Sequence, residues 1–398
     1  MSLSPEQLVR RIHDTAGQVV LALNGGSRAL AELLELPGGS RTLLEAVVPY
    51  SEGALIEWLG SRPEQFCSAG TARAMAVIGF GRAMRYGAAE TAAAGVACSA
   101  SLASDRPKRG AHRAHVAMQT ADRSACWSLE FHKGARSRAE EEQVVSRMVL
   151  NAVAEACGIT EWLELALLEQ EHVALEQITA PPEWQDLFLG RTDAVRARST
   201  GAGSAGFSRN SPGEPHGEPP GGGTTSAVIF PGAFNPLHVG HRRMAEIAAE
   251  IAGRPAEVEI SILNVDKPAL DYLEIERRLA QFPPEQNVWL TRMATFDAKS
   301  RLFPGAVFVV GVDTLRRIAD PRYYGDDRAA MLRAIEQIAA RGCRFLVFGR
   351  SVESSFVCLP HLDLPEELRN LCSDVPPERF REDVSSTALR RGNLSGDL

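Results

Sequence analysis

Ala227-Val-Ile-Phe-Pro-Gly-Ala-Phe-Asn-Pro-Leu-His-Val-Gly-His241 decides the reading of this chain. Its opening run, Ala227 to Phe230, is apolar and short enough to predict a buried strand, and Arg242 to about Ala252 reads as a helix. Between the two lies a turn rich in glycine and proline that ends in two histidines. A strand-to-helix junction of this kind is suited to anions. The helix start offers unpaired N–H groups and the positive end of its dipole. Glycine lets the backbone approach a ligand closely. His238 and His241, at i and i+3, can both face the anion as hydrogen-bond donors. Two histidines near a turn are more often structural than functional; the glycines, prolines and preceding strand move the reading toward a phosphate site.

Working outward, strands and helices alternate. Glu257 to Leu263 predicts a strand, Tyr272 to Gln281 a helix, Asn287 to Leu290 a strand, and Gly305 to Gly311 an apolar run ending in Gly311-Val-Asp-Thr314. Arg328 to Arg341 predicts a helix and Arg344 to Phe348 a further strand. This alternation implies α/β architecture, a parallel sheet with helices on both faces, whose ligands sit outside the carboxyl ends of the strands. Near the end of the chain, Asp383-Val-Ser-Ser-Thr-Ala-Leu-Arg-Arg391 marks another helix start. Ser385 or Ser386 is a suitable N-cap, and the hydroxyls with Arg390 make either a second anion site or an ordinary capped surface helix.

Together, Gly232-Ala-Phe-Asn-Pro236 with His238-Val-Gly-His241, and Ser385-Ser-Thr-Ala-Leu-Arg390, resemble the HxGH nucleotidylyltransferase superfamily over residues 227 to 398. That family pairs these two motifs in this order, with a Rossmann-like fold. Asn235, Gly311-Val-Asp-Thr314 and Thr295-Phe-Asp297 look most like the nicotinamide or nicotinate mononucleotide adenylyltransferases, while the cytidylyltransferase ending R-T-x-G-I-S-T is absent. The resemblance implies transfer of AMP from ATP to the 5′-phosphate of a pyridine mononucleotide, with Mg2+ arriving on ATP. It places His238, His241, Lys267 and Arg390 in catalysis. Gly232, Ala233, Phe234, Asn235, Gly240, Ser385, Ser386 and Thr387 would bind ATP. For the mononucleotide it offers Asp313, which could equally be a helix N-cap, and Phe296, which as a lone aromatic is more often core. Lys267 is as readily a solvated lysine. No metal site of the protein's own is implied. Two other readings are open: transfer of AMP or CMP to a different phosphate acceptor, and a nucleotide-binding regulatory protein with little turnover.

Upstream, residues 198 to 226 are mostly Gly, Ser, Pro, Thr and Glu with one large apolar residue, Phe207, and read as a flexible tether rather than a long lid. They divide a first domain, residues 1–190, from the nucleotidylyltransferase domain, 227–398. In the first domain the spacing predicts helices over Pro5 to Asn24, Ser27 to Leu36, Thr71 to Tyr86, Ala139 to Cys157 and Glu161 to Gln177. It predicts strands over Leu43 to Val48, Gly95 to Ser101 and His115 to Gln119. The layout of Gly38-Gly-Ser40, Val47-Val-Pro-Tyr-Ser51, Leu59-Gly60 and Cys67-Ser-Ala-Gly-Thr-Ala72 resembles the C-terminal domain of the CinA family, which deamidates nicotinamide mononucleotide. The family's nucleophile motif, E-S-C-T-G-G, falls on Leu21-Ala-Leu-Asn-Gly-Gly26, so Ala22 stands where the serine should be. An alanine cannot attack an amide. Unless Ser27 or Ser40 has taken over, the resemblance implies a domain without deamidase activity that serves oligomerisation, ligand sensing or support, with a homo-oligomer expected through it. His112 and His115 are candidates for a phosphate or for a solvated polar loop.

The composition fits two globular domains. Of the 398 residues, 44% are hydrophobic and 23% charged, which excludes a wholly disordered chain. The net charge of −7 argues against nucleic acid as a partner. No run approaches the ~18 apolar residues of a membrane span, and Met1 to Gln7 does not begin a signal peptide. The seven cysteines lack zinc spacing and read as reduced thiols of a cytoplasmic protein.

Overall fold

Val19 to Leu23 are all fully buried and form the interior of a strand with helices on both faces. The structure, a computed structural model, describes residues 3–87, 93–105, 109–197, 227–266, 268–284, 286–352 and 355–381. Residues 198–226, Lys267, and the segment holding Ser385, Ser386, Thr387 and Arg390 lie outside the described residues. Two compact units form: Met1–Leu189 with Asp266–Ile275, and Gly190–Val265 with Glu276–Leu398.

The first unit runs α1 (Pro5–His13), β1 (Gln18–Asn24), α2 (Arg28–Glu35), α3 (Gly39–Thr42), β2 (Leu43–Val47), α4 (Glu52–Leu59) and α5 (Ala69–Tyr86). It continues with β3 (Ala93–Ser101), β4 (His112–Gln119), β5 (Arg123–Phe131), α6 (Arg138–Ala156), β6 (Val173–Thr179) and α7 (Pro182–Leu189). The sheet order is β2-β1-β3-β4-β5-β6. β1 pairs in parallel with β2 and β3, and the remaining pairs are antiparallel. Successive strand residues face opposite sides. Val19, Leu21, Leu23, Val96 and Val116 meet α1, α2 and α6 on one side, while Ala22, Ala97, Ala117 and Cys126 meet α4 and α5 on the other. The second layer is thin because its residues are small. A Cβ on Gly95 of β3 would stand 2.0 Å from the Ala76 carbonyl oxygen of α5, so helix and strand touch backbone to backbone there.

Two expected helices are corrected. Pro5 to Asn24 is a helix only as far as His13, and the rest is β1. A strand covered on both faces reads as an unbroken apolar run, which periodicity alone does not separate from a helix. In Glu161 to Gln177 no helix forms. Leu163, Leu165 and Leu167 all pack on the α6 side of the sheet, a period-two pattern that needs extended chain. Asn151 holds that conformation by donating to the Leu163 carbonyl (2.9 Å) and accepting from its N–H (2.6 Å).

Within the same unit, Arg73 of α5 is 5% exposed and faces three carboxylates: Asp271 at 3.1 Å, Glu176 at 3.5 Å and Glu274 at 3.6 Å. Tyr272 donates its backbone N–H to Ser124 Oγ (3.0 Å) and its hydroxyl to the Ala121 carbonyl (2.6 Å). These bonds fix Asp266–Ile275 in the first unit although its neighbours in sequence lie in the second.

The second unit contains β7 (Ala194–Ala197), β8 (Val228–Pro231), α8 (Val239–Ala252), β9 (Ala256–Ser261), α9 (Tyr272–Leu279, of which Glu276 onward belongs here), β10 (Val288–Thr291) and α10 (Phe296–Leu302). After these come β11 (Val307–Gly311), α11 (Val312–Ile318), α12 (Arg328–Ala340), β12 (Arg344–Phe348), the hairpin β13 (Arg350–Val352) and β14 (Ser355–Val357), α13 (Glu366–Arg369) and β15 (Cys372–Val375). The sheet order is β15-β12-β11-β8-β9-β10-β7, parallel throughout except for β7 at the edge. From β8 the chain builds outward through β9 and β10, then returns to the other side of β8 with β11. That reversal is a topological switch point, and it opens a crevice at the carboxyl ends of β8 and β11. The α/β architecture expected for both halves is present. Ile229, Phe308, Val310, Phe345 and Val347 form the core on one face, closed by Leu315, Met331, Ile335 and Ile338 of α11 and α12. No helix among the described residues is long and apolar enough to cross a membrane.

Candidate active site

β8 delivers the chain to the switch point at Pro231, and the motif begins there. Gly232 donates its N–H to the Glu259 carbonyl of β9 (3.0 Å), which extends the sheet by one bond. Phe234 takes a left-handed backbone (φ 46°) and turns its ring inward, where it is 1% exposed. The ring meets Phe230, Phe282 and His241 edge-on, with centroids 5.3, 5.4 and 5.0 Å away. A Cβ on Gly232 would fall 2.6 Å from that ring, so glycine is needed for Phe234 to fold back. Phe234 was expected to bind ATP. Its ring is committed to the core, which leaves only its backbone for a ligand. The Asn235–Pro236 peptide is cis.

Gln281, which the sequence reading did not single out, grips this loop. Its side-chain N–H donates to the Phe234 carbonyl (2.8 Å), and its side-chain oxygen accepts from the Leu237 N–H (2.7 Å). A cavity of about 410 Å³ opens beside the loop, lined by Phe234, Leu237, His241, Arg242, Glu246 and Gln281 among others.

His238 is the N-cap residue of α8, with an extended backbone, and His241 is in the helix's first turn. Their rings stack at 3.7 Å with 24° between planes. The His238 N–H donates to His241 Nδ1 at 3.3 Å. With Nδ1 accepting, the neutral ring carries its proton on Nε2, which is a hydrogen-bond donor. Burial lowers the His241 pKa from 6.5 to about 4, and His238 adds to the effect. His241 can therefore donate without being charged.

The same burial acts on His115 in the first unit, whose pKa falls to about 4 with a further contribution from Arg113. Each ring stays neutral in the folded chain at a pH where the unfolded chain takes up a proton. The unfolded state binds more protons between pH 6.5 and about 4, so stability is complete above this window and falls as pH drops through it. Calorimetry across the window should show a smaller acid loss of Tm for the first unit's transition in His115→Gln, and for the second unit's transition in His241→Gln, than in the parent chain. Superimposable pH curves for all three proteins would refute the assignment.

The other expected site residues are distributed as follows. Asp313 is in the first turn of α11, but Gly311 is the cap, so its alternative role as N-cap does not hold. Its carboxylate pairs with Arg350 of β13 and with Arg316 at 3.7 Å. Arg350, which follows the carboxyl end of β12, was not read from the sequence. Phe296 is half-buried and packs edge-on against Phe308 (5.4 Å) and Phe345 (5.5 Å), in line with the core alternative. Gly240 is buried in the first turn of α8, and Ala233 and Asn235 lie in the loop Gln281 grips. Lys267, Ser385, Ser386, Thr387 and Arg390 fall outside the described residues.

A buried ion pair braces the neighbouring strands. Lys299 Nζ of α10 lies 2.7 Å from both carboxylate oxygens of Glu259 on β9. Thr291 of β10 donates its hydroxyl to the same carboxylate and accepts the Met293 N–H at 3.2 Å. Glu259 is 0% exposed and Lys299 5%.

In the first unit, Ala22 is buried inside β1. The start of α2, where a ligand anion could bind, is met instead by Glu142, whose carboxylate accepts from the Ser27 N–H (2.8 Å) and hydroxyl (3.1 Å). His112 is hydrogen-bonded to the buried Glu141 (2.7 Å) and His115 to Ser128 (2.8 Å). Both histidines belong to β4 and point to opposite faces, so they do not form the phosphate site considered for them, nor a solvated loop.

Residues 229–392 match the family model described as cytidylyltransferase-like. Among solved structures, the chain is similar to the competence/damage inducible protein CihA from Agrobacterium tumefaciens, at 23% identity over 39% of this chain and 99% of that one, with a TM-score of 0.33. It is similar to a competence or damage-inducible protein from Enterobacter asburiae at 17% identity, over 39% and 98%, TM-score 0.32. A CinA superfamily protein from Klebsiella pneumoniae shares 14% identity, over 39% and 99%, TM-score 0.32. A comparison with curated proteins gives no match. The matched residues 229–392 fall within the part read from the sequence as nucleotidyltransferase-like. The second unit carries a cytidylyltransferase-like domain, whose class is nucleotidyl transfer.

Proposed function

We propose that the second unit transfers AMP from ATP to nicotinamide or nicotinate mononucleotide, forming the dinucleotide and pyrophosphate. The observation that carries this reading is the placement of His238 and His241 at the start of α8, beside the sheet's switch point, with His241 Nε2–H available as a donor. An oxygen of the mononucleotide 5′-phosphate attacks the α-phosphorus of ATP in line. The new P–O bond forms as the bond to the β-bridging oxygen breaks, and that oxygen leaves with the electron pair as part of pyrophosphate. No protein nucleophile enters; the protein's contribution is positioning and neutralisation of charge.

His241 and the N–H groups at the start of α8 would hold phosphate oxygens. Once phosphate is bound, its negative charge favours the imidazolium and strengthens the bond. Lys267, Ser385, Ser386, Thr387 and Arg390 are assigned by resemblance to the same phosphates, and Asp313 to the ribose or base. Magnesium enters with ATP, held mainly by phosphate oxygens and water. The match of both halves to proteins of pyridine-nucleotide chemistry in the sequence reading supports the acceptor, as an association rather than a mechanism.

The test is a product assay with the full chain, ATP, magnesium and each mononucleotide in parallel. Dinucleotide with pyrophosphate is expected, and the rate ratio identifies the acceptor. No dinucleotide from either would reject the pyridine assignment and direct the search to other phosphate acceptors and to CTP.

A further inference from the structure

We infer that Gln281 is a positioning residue for nucleotidyl transfer: its amide sets the backbone of the motif loop and so the placement of the two histidines. The inference rests on the phosphate-site reading above. Gln281 is the second residue after α9, 40 residues beyond His241 in the chain. Its one carboxamide makes two opposite bonds to the loop, donating to the Phe234 carbonyl and accepting from the Leu237 N–H, and its N–H₂ also donates to the Arg278 carbonyl at 3.4 Å. Only one orientation of the amide serves both, so the bonds fix the side chain as well as the loop.

The geometry gives those bonds leverage on the site. Phe234 and Leu237 bracket Asn235 and Pro236, and Leu237 immediately precedes His238. The His238 N–H in turn sets the tautomer of His241. A loop pinned at both ends by one amide delivers His238 to the helix start in a single register. Its neighbour Phe282 is 4% exposed and packs against Phe234, so the grip is anchored in the core. The contact closes on the loop that carries the motif, which the Gly232 N–H bond to the Glu259 carbonyl fixes at its first turn. Displacement of a catalytic group by about 1 Å can cost roughly 10²-fold in rate, while affinity changes less.

Gln281→Met keeps the volume and removes both bonds to the loop along with the weaker one to Arg278. Gln281→Glu keeps the acceptor for Leu237 and loses the donor for Phe234. Steady-state kinetics on the full chain should show kcat about 10–100-fold lower for Gln281→Met, with the KM for ATP within threefold, and a smaller loss for Gln281→Glu. A second readout needs no turnover. In the parent, ring-nitrogen NMR of His241 should show the Nε2–H tautomer and a titration near the low end of the histidine range. In Gln281→Met the tautomers should mix and the titration should move toward 6.5.

Parent-like kcat with an unchanged His241 spectrum in Gln281→Met would overturn the inference. So would a fall in kcat matched by an equal loss of folded protein, with the remaining active sites turning over at the parent rate. If Gln281→Met does not fold, Gln281→Glu decides by the same two readouts. If the parent makes no dinucleotide, the acceptor assignment fails, and the NMR comparison still judges Gln281.

Discussion

Replacing His241 by alanine is expected to lower kcat for dinucleotide synthesis by about 10²–10³-fold, the usual cost of removing one donor aimed at charge that develops in a transition state. The expectation follows from where the ring is, not only from what it is. Its Nδ1 is occupied by the His238 N–H, so Nε2 is the end available to a phosphate. Its face is held by the stacked His238 ring and its edge by Phe234, which limits where Nε2 can point. The donor is therefore preorganised, and preorganised donors act more on the transition state than on the bound substrate. ATP affinity, measured by calorimetric titration with magnesium present, should change by less than about tenfold. This split separates an enzyme from a nucleotide-binding regulatory protein, in which the same substitution should move affinity and leave no rate to lose. His241→Asn, which keeps a short donor at the helix start, should recover part of the rate. Equal kcat for the parent and His241→Ala would remove His241 from the mechanism and with it the phosphate site as drawn.

How much of this was legible in the sequence depends on distance along the chain. β8 and α8 were read correctly in type and nearly in extent, because an apolar run, a glycine and proline turn and an amphipathic helix follow one another within a single short stretch. The histidine pair was legible for the same reason: its spacing is local. Gln281 was not, because its role is made of bonds to Phe234 and Leu237, 47 and 44 residues away, and glutamine at the end of a helix carries no signal by itself. For Phe296 a lone aromatic looks alike in a core and in a binding site, with core the commoner case; the rings it packs against, Phe308 and Phe345, come from distant strands and carry no local signal. β1 was lost inside a predicted helix since Val19 to Leu23 are buried on both faces and show no alternation. In the same unit, Leu163, Leu165 and Leu167 do alternate, but their spacing can also be fitted to a helix unless the Asn151 bonds to Leu163 are known.

Lys299→Met should destabilise the second unit by about 3–5 kcal/mol, because it leaves the Glu259 carboxylate buried and uncompensated. Glu259 is 0% exposed on a strand inside the sheet, and in the folded unit its charge is balanced by Lys299, with Thr291 as a hydrogen-bond donor. Water cannot reach it without opening the strand. Removing both charges should cost much less than removing one, since the desolvation of two ions is then no longer part of folding. Lys299→Met combined with Glu259→Gln leaves an acceptor for the Thr291 hydroxyl and no buried charge, so a double-mutant cycle should show strong coupling. Unfolding of a chain with two units is not one transition, so hydrogen exchange resolved to the β9 amides is the suitable measurement. The single variant should speed exchange at Val258 to Ile260 by about 10²–10⁴-fold, and the double variant should restore most of the protection. If Lys299→Met exchanges within tenfold of the parent, the carboxylate is not carrying an unpaired buried charge, and the pair is not what holds β9 and β10 together behind the motif loop. The consequence reaches the site directly: the Glu259 carbonyl accepts the Gly232 N–H at the first turn of the loop, so a strand that opens at Glu259 loosens the segment that must hold His238 and His241 in place.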